Sequence, residues 1–518
     1  MTKTLSILWA DDEIDLLRPH ILLLEGKGFE VVTANNGEDA VDCVKERDFD
    51  LIFLDENMPG LTGLQVLTQI KSIRPNIPVI MITKSEEEDI MDEAIGSKIA
   101  DYLIKPVNPK QVLLTIKKFL DSKRLVSEKT TSAYQTEFGK IGIQISESLS
   151  WQDWIQLYRK LVYWELELKE TGETPMDEVF RMQKTEANLN FTRFIRKNYA
   201  GWFAKDLGDR PMLSADILKH RVFPLMNRER PVILLVVDNL RYDQWKVIET
   251  VIADSYSVEQ DEIYYSILPT ATQYARNSLF AGLMPLGISK IYPDIWKEDS
   301  DEGSKNLYEE DLLRSNLQRN GMAVKFTYDK INTNRTGKKW VDNVSSMIDQ
   351  PLSVLVYNFV DMLSHARTDL NMIRELADDE AAYRTLTLTW FLHSPMLDLL
   401  RELSRFSVTV VITTDHGTTL VQDPVKVIGD RQTTTNLRYK QGRNLNYNPK
   451  EVFEVLRPEE VHLPRPNVST RYIFATGSDF FAYPNNFNHY VKYYRNTFQH
   501  GGISLEEMLI PLVVLQPK

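Results

Sequence analysis

Five residues in the first fifth of the chain have the types and spacing needed to take up a phosphoryl group. Asp11 and Asp12 close a first apolar run, and Asp55 closes a third in Phe-Leu-Asp-Glu-Asn-Met-Pro-Gly. Thr83 closes a fourth, and Lys105 precedes Pro106 after a fifth. If these runs are parallel strands, their carboxyl ends bring all five side chains to one crevice. Crowded carboxylates repel one another unless a cation sits among them, and an all-oxygen set suits Mg²⁺. Thr83 would then offer a hydroxyl and Lys105 a positive charge to phosphoryl oxygens, while the Asp55 carboxylate attacks phosphorus.

A second group lies after residue 230. Asp238 follows Val-Ile-Leu-Leu-Val-Val. Asp361 follows Leu-Val-Tyr-Asn-Phe-Val, with His365 four residues later. Asp415-His416-Gly follows Val-Val-Ile-Thr-Thr, and His500-Gly-Gly precedes the last apolar run. Asp361 and His365 share a face if that stretch is helical. Three aspartates and three histidines, in a chain with 8 histidines, exceed one tetrahedral zinc and suit two open sites. Paired metals are a common clamp for phosphoryl transfer. Histidine-rich ligation favours two Zn²⁺. Thr270 and Thr272, just before an expected helix, are both candidate nucleophiles, and a helix start helps to hold an anion. The remaining histidines, His20, His220, His393, His462 and His489, read as hydrogen-bonded structural residues.

Strand-like runs at 5–10, 30–34, 51–54, 78–82 and 101–104 alternate with helical segments, which predicts a doubly wound α/β domain over residues 1–121. Residues 122–210 read as an all-α bundle. A long helix is expected over 110–140, a second begins at Ser150-Trp-Gln-Asp153, and a third at Thr174-Pro175. Trp151, Trp154, Ile155, Tyr158, Leu161, Val162 and Leu166 recur at helical spacing, as a core stripe does. Residues 211–518 read as a larger α/β domain with strands at 231–237, 353–360, 408–413, 472–475 and 509–515. The polar stretch 427–450 reads as a long mobile loop. Its Arg431, Arg438, Lys440 and Arg443 either hold further phosphates of a substrate or form a solvated surface.

Formal net charge is -12 with a sequence pI of about 5.4. That argues against broad affinity for nucleic acid or anionic membrane and leaves room for a local basic groove. No helix-turn-helix pattern is evident, so direct DNA reading is not expected. Cys43 is the single cysteine. It cannot form an intramolecular disulfide, fits a reducing compartment and reads as a small apolar residue on a helix. No apolar run reaches membrane-spanning length, and the N-terminal run is too short for a signal peptide. A cytoplasmic protein is expected.

Over residues 4–121 the pattern resembles the response-regulator receiver family. The resemblance implies phosphorylation at Asp55 and Mg²⁺ held by Asp11, Asp12, Asp55 and the backbone carbonyl of Asn57. It also implies switch roles for Thr83 and Tyr102, and a sensor histidine kinase as partner. One departure is Lys84, where the family usually has a small residue. From about 230 to the end, the chain resembles the alkaline phosphatase superfamily and its PglZ branch. The signals are Pro269-Thr-x-Thr272, Gly282 ten residues on, and His500-Gly-Gly-x-Ser-x-x-Glu-x-x-x-Pro511. This resemblance makes Thr272 the nucleophile. It assigns Asp238, Thr272, Asp415 and His416 to one metal and Asp361, His365 and His500 to the other, with Mn²⁺ as the alternative to Zn²⁺.

The three-part arrangement resembles response regulators associated with type IX secretion in Bacteroidetes. The expectation is a phosphorylation-controlled, two-metal phosphodiesterase or phosphatase acting on a nucleotide or short oligonucleotide. Phosphorylation is expected to produce a homodimer. A diester is favoured over a monoester because no arginine stands out beside the metal motifs to clamp a dianion. The alternative is a metal-bound, non-catalytic regulator that docks a sigma factor or secretion component.

Overall fold

Apolar runs that are buried on both faces form parallel strands in α/β layers; three such runs form the centre of the first sheet and two partly exposed runs form its edges. They are β1 (Ser6–Ala10), β2 (Glu30–Ala34), β3 (Leu51–Asp55), β4 (Val79–Thr83) and β5 (Asp101–Ile104). All pair in parallel in the order β2-β1-β3-β4-β5. One apolar layer, with Leu8, Val41, Val66 and Ile70, covers one face of the sheet; Trp9, Phe53, Val112 and Ile116 belong to the other. The carboxyl ends of β1 and β3 flank the point where strand order reverses, the usual crevice of such sheets.

The computed structural model describes residues 5–75, 77–84, 99–116, 119, 122–170, 175–227, 230–299, 301–369, 379–430 and 433–518. The chain divides into two compact units, Met1–Gln135 and Thr136–Lys518. Helices occupy Pro109–Ile116 and Ser122–Ser146 within the span expected as one helix; residues 117, 118, 120 and 121 lie outside the described set. The helix Trp151–Glu170 starts as expected: the Ser150 hydroxyl lies 3.2 Å from the Asp153 amide, and the Asp153 carboxylate accepts from the Ser150 amide at 2.9 Å. The helix Pro175–Trp202 follows. Trp154, Tyr158 and Leu161 are buried. Trp154 meets Phe191 edge-on, and Phe191 stacks on Tyr265, so these helices share a core with the C-terminal sheet.

The second unit contains β6 (Val232–Val237), β7 (Tyr256–Tyr265), β8 (Phe326–Ile331), β9 (Leu352–Tyr357), β10 (Thr409–Thr413), β11 (Thr419–Leu420) and β12 (Asp423–Lys426). It continues with β13 (Tyr439–Gly442), β14 (Phe453–Val455), β15 (Arg471–Phe474), β16 (Asp479–Ala482), β17 (Phe498–Gln499) and β18 (Leu509–Pro517). The main sheet runs β7-β18-β10-β6-β9-β8, with β18 antiparallel to both its neighbours and the remaining pairs parallel.

Several expectations are corrected here. The run 353–360 is not one strand: β9 ends at Tyr357 and a helix, Phe359–Asp369, takes over. Residues 472–475 contribute to β15, which lies between β13 and β14 in a small antiparallel sheet, not in the main sheet. The stretch 427–450 is not a structureless loop. It holds β13 and a bridge between Ile428 and Asn446, anchored because Arg438 is fully buried. Both edges of the main sheet, β7 and β8, are absent from the sequence expectation. Edge strands with a solvated face carry charge, as Glu259, Asp261 and Glu262 do on β7, and so lack the apolar signature of central strands.

Candidate functional sites

In the first unit, Asp11, Asp12 and Asp55 each offer an oxygen, and these oxygens lie within 4.8 Å of one another. Asp11 and Asp55 are buried, while Asp12 is exposed. The Lys105 ammonium stands 3.0 Å from Asp11 Oδ2 and 3.0 Å from Asp55 Oδ1. Burial, opposed by Lys105 and reinforced by Asp11, pushes the Asp55 carboxyl up to about 6. A hard-oxygen cluster with this excess of negative charge fits Mg²⁺. Thr83 is buried beside it, and its hydroxyl donates to the Glu56 carboxylate, a partner the sequence reading did not single out. Asn57 and Tyr102 are exposed. The Lys84 ammonium lies 3.8 Å from Glu13 on the surface.

In the second unit, the strand ends of β6, β9 and β10 stand side by side at the centre of the sheet, which is why residues far apart in sequence meet. Asp238, Asp415 and His416 are buried and offer ligand atoms within 4.8 Å of one another. Thr272 opens the helix Thr272–Ala281; its Oγ1 is 3.0 Å from His416 Nε2 and 3.4 Å from Asp238 Oδ1. His416 Nδ1 lies 3.1 Å from the Gly417 carbonyl, which leaves Nε2 as the acceptor facing this cluster. Burial holds the His416 imidazole below its ordinary range. Burial and the neighbouring Asp238 push Asp415 well above the usual carboxylate range. Asp415 Oδ2 is buried without a hydrogen-bond partner. An orphaned carboxylate oxygen beside a second carboxylate and an imidazole lone pair is the donor set a transition-metal ion satisfies.

Asp361 lies in the first turn of the Phe359–Asp369 helix, and its Oδ1 is 3.5 Å from His500 Nε2. The His500 ring stacks on His416 with centroids 4.3 Å apart. The candidate ligands of the second metal thus adjoin those of the first. His365 is on the same helix as Asp361; its side chain lies outside the described residues. Thr270, the other candidate nucleophile, is fully buried. It donates to the Gly502 carbonyl at 2.8 Å and accepts from the Gly501 amide at 3.1 Å. It thereby holds the His500-Gly-Gly turn. Gly501 has φ +120, and a Cβ on Gly417 would stand 2.0 Å from the Glu506 carbonyl oxygen. Both glycines are therefore required by backbone geometry.

Sequence reasoning missed Arg276, one turn beyond Thr272 on the same helix face. Its guanidinium pairs with Asp238 Oδ2 at 2.6 Å and with Glu309 Oε1 at 2.7 Å, and reaches Asn358 at 3.3 Å. Burial alone would raise the Asp238 carboxyl, but Arg276 and His416 hold it below the usual range. Glu309, fully buried, also pairs with Lys330 at 2.9 Å and accepts from Tyr328. The i, i+4 spacing from Thr272 was the available signal.

The basic stretch is corrected. Arg438 is not a substrate ligand: it is fully buried and forms a 2.6 Å pair with Glu507, whose other oxygen accepts from the Gly502 amide at 2.9 Å. Lys440 is half-buried and donates to the Thr434 carbonyl at 2.7 Å. Arg443 lies on the surface, and Arg431 falls outside the described residues. Among the described residues, no helix is long and apolar enough to cross a membrane.

Comparison with known proteins gives three family matches along the chain. Residues 7–117 match the response regulator receiver domain, 124–203 the PorX response regulator linker domain, and 217–515 the BREX system PglZ alkaline phosphatase-like domain. The transcriptional regulatory protein ZraR of Klebsiella oxytoca is 36% identical over 140 residues, 27% of this chain and 32% of that protein. The alginate biosynthesis regulator AlgB of Pseudomonas syringae is 37% identical over 119 residues, 23% of this chain and 27% of that protein. The chain thus spans about a third of the length of these curated relatives. The chemotaxis protein CheY4 of Vibrio cholerae is 28% identical in its solved structure, covering 23% of this chain and 99% of that one with a TM-score of 0.22. With the PglZ match covering more than half of its length, the chain belongs to the PglZ alkaline phosphatase-like family, in the receiver, linker and PglZ arrangement of a PorX-type response regulator.

Proposed function

We propose that the second unit hydrolyses phosphate esters through Thr272, under the control of phosphorylation at Asp55, and that its substrate is a phosphodiester of nucleotide type. The observation that carries this reading is the Thr272 hydroxyl, 3.0 Å from His416 Nε2 and beside the buried Asp238 and Asp415. Asp238, Asp415, His416 and Thr272 would hold one divalent cation, and Asp361, His365 and His500 the other, with zinc or manganese as the ion. Bound there, the cations supply charge neutralisation for the phosphoryl oxygens and ease ionisation of the threonine hydroxyl. Thr272 Oγ1, its proton lost to solvent, attacks phosphorus, the bond to the leaving ester oxygen breaks with that oxygen taking up a proton, and water later cleaves the threonine-linked phosphodiester to free Thr272 and a phosphate monoester. The Arg276 Nε and Nη1 are committed to Glu309 and Asp238, which leaves Nη2 alone and no two-nitrogen fork for a dianion; this favours a diester over a monoester.

In the first unit, Asp55 accepts the phosphoryl group, with Mg²⁺ held by Asp11, Asp12, Asp55 and the Asn57 carbonyl. A sensor histidine kinase supplies the group. Thr83 leaves Glu56 for the phosphoryl oxygens, Tyr102 follows, and the altered face meets a second copy of the chain. The setting is a cytoplasmic regulator linked to type IX secretion, with a sigma factor or secretion component downstream. The test is a screen of mono- and diester substrates with the intact protein and with Thr272→Ala. Diester turnover that the variant loses supports the reading, and no turnover of any ester by metal-replete protein refutes it.

A further inference from the structure

Within the second unit, a second group of buried charges lies apart from the metal candidates, where the linker helices meet the C-terminal domain. The Lys184 side chain, 12% exposed, faces carboxylates from three elements. They are Glu165 at 2.9 Å on the helix Trp151–Glu170, Glu380 at 2.5 Å at the start of the helix Glu380–Leu392, and Glu506 at 3.0 Å. Arg241 pairs with Asp243 at 2.8 Å and reaches Glu380 at 3.3 Å. Arg384 pairs with Asp243 at 2.8 Å and also with Glu165. Burial alone would raise the Glu380 carboxyl, but Lys184 and Arg241 hold it well below the usual range. A buried ionic network adds little net stability over an apolar contact. When its members are paired it makes the elements that carry them rigid.

The element that carries Glu506 borders both sets of metal candidates. It is the short helix Leu505–Met508, capped by Ser504, whose hydroxyl accepts from the Glu507 amide at 3.1 Å. The Glu507 carbonyl accepts from the Gly417 amide at 3.1 Å, next to His416. The Glu507 carboxylate accepts from the Gly502 amide at 2.9 Å, two residues past His500. From the other side, Asn188 on the linker helix Pro175–Trp202 accepts from the Leu505 amide at 2.8 Å and donates to Glu506 at 3.2 Å. The same four-residue helix is thus tied to a linker helix on one side and to both histidine turns on the other.

We propose that Lys184 and Asn188 are positioning residues for the metal centre: they hold the Leu505–Met508 helix so that the His500 turn presents its imidazole to the second cation. His416 is itself fully buried, and Asp238 beside it is gripped by Arg276, so the first cation depends less on this support. The inference rests on the two-metal reading and deepens it by making the linker a part of the site.

The test uses the full chain, depleted of metal and titrated with Zn²⁺ against a chromophoric chelator. Hydrogen exchange of residues 497–508 is followed by mass spectrometry in the metal-free state. Asn188→Ala, which removes no charge, is expected to weaken the lower-affinity zinc equivalent about 10-fold and to leave the higher-affinity one nearly unmoved. It is also expected to speed exchange of that segment about 5- to 30-fold. Lys184→Met leaves Glu165, Glu380 and Glu506 to repel one another and has the larger effect, which Lys184→Arg recovers in part. If Lys184→Met fails to fold, Asn188→Ala carries the test. Arg159→Met is the control, because Arg159 also joins a linker helix to the C-terminal domain, through Asp261 at 3.1 Å on the edge strand β7. Unmoved zinc affinity in Asn188→Ala, on a chain that binds two ions, overturns the inference whatever the exchange rate. An equal loss of zinc affinity in Arg159→Met overturns it too, since the linker would then act only as general support. Fewer than two ions on the native chain remove the two-metal reading. In that case faster exchange in Asn188→Ala keeps the hold on the His500 turn, and unmoved exchange overturns it as well.

Discussion

In the first unit, the carboxylates of Asp11 and Asp55 share one lysine; in the second, Asp238 is gripped by an arginine whose far side is fixed to Glu309. The chemistry of the two cations differs. A lysine ammonium is a point charge on a flexible stem and changes partners readily, whereas a guanidinium fork imposes a geometry. The receiver cluster keeps Asp12 at the surface, while Asp238, Asp415 and His416 are all buried. A site that must accept one phosphoryl group and release it is served by movable charge. A site that must position a hydroxyl identically through many turnovers is served by a locked one.

That contrast breaks most completely at the two acceptor residues. Asp55→Ala is expected to abolish labelling from acetyl phosphate with Mg²⁺, and Thr272→Ala to leave labelling intact; undiminished labelling of Asp55→Ala would remove the receiver half of the account. Next in size is the framework of the second unit. Arg438→Met leaves the buried Glu507 carboxylate without its cationic partner and is expected to cost about 3–5 kcal/mol in chemical denaturation. Arg47→Met in the first unit removes the exposed, solvent-screened Glu30 pair and should leave the denaturation midpoint almost unchanged. Equal losses would show that the second unit is no more locked than the first.

A smaller effect sharpens the role of the arginine fork. Elemental analysis of protein purified without chelator should find close to two transition-metal ions per chain. Arg276→Met should weaken metal affinity about 10- to 100-fold in chelator competition. Arg276→Lys should recover only part of that, because it restores charge without the fork. Full recovery by lysine would mean that charge alone matters and that the comparison with Lys105 is misplaced. The smallest change is in mass: beryllofluoride, standing in for the phosphoryl group, should shift light scattering toward a dimer. An unchanged mass at tens of micromolar would leave regulation to rearrangement within one chain.

Asp11, Asp55 and Thr83 of the receiver cluster were readable because each closes a buried central strand, so the apolar run points to the residue at its end. Asp238 and Asp415 were readable for the same reason after β6 and β10. Arg276 was not, since it lies inside a helix with no strand end to mark it, and its partner Glu309 is 33 residues away. Arg438 was misread because charge in a polar stretch looks solvated until the fold supplies a buried Glu507. β7 and β8 escaped notice because edge strands carry charge where central strands carry valine and leucine. Thr270 and Thr272 are equivalent as residue types. The fold separates them through the closed hydrogen bonding of Thr270 with Gly501 and Gly502 and the approach of Thr272 to His416 and Asp238.

The most direct measurement is steady-state hydrolysis of a phosphodiester by native protein and by Thr272→Ala, with the metal content of both preparations determined beforehand. The account predicts that the variant keeps most of its metal, because the buried Asp238, Asp415 and His416 remain, and loses about 10⁴-fold or more in kcat. Near-native turnover by Thr272→Ala at equal metal content would contradict it.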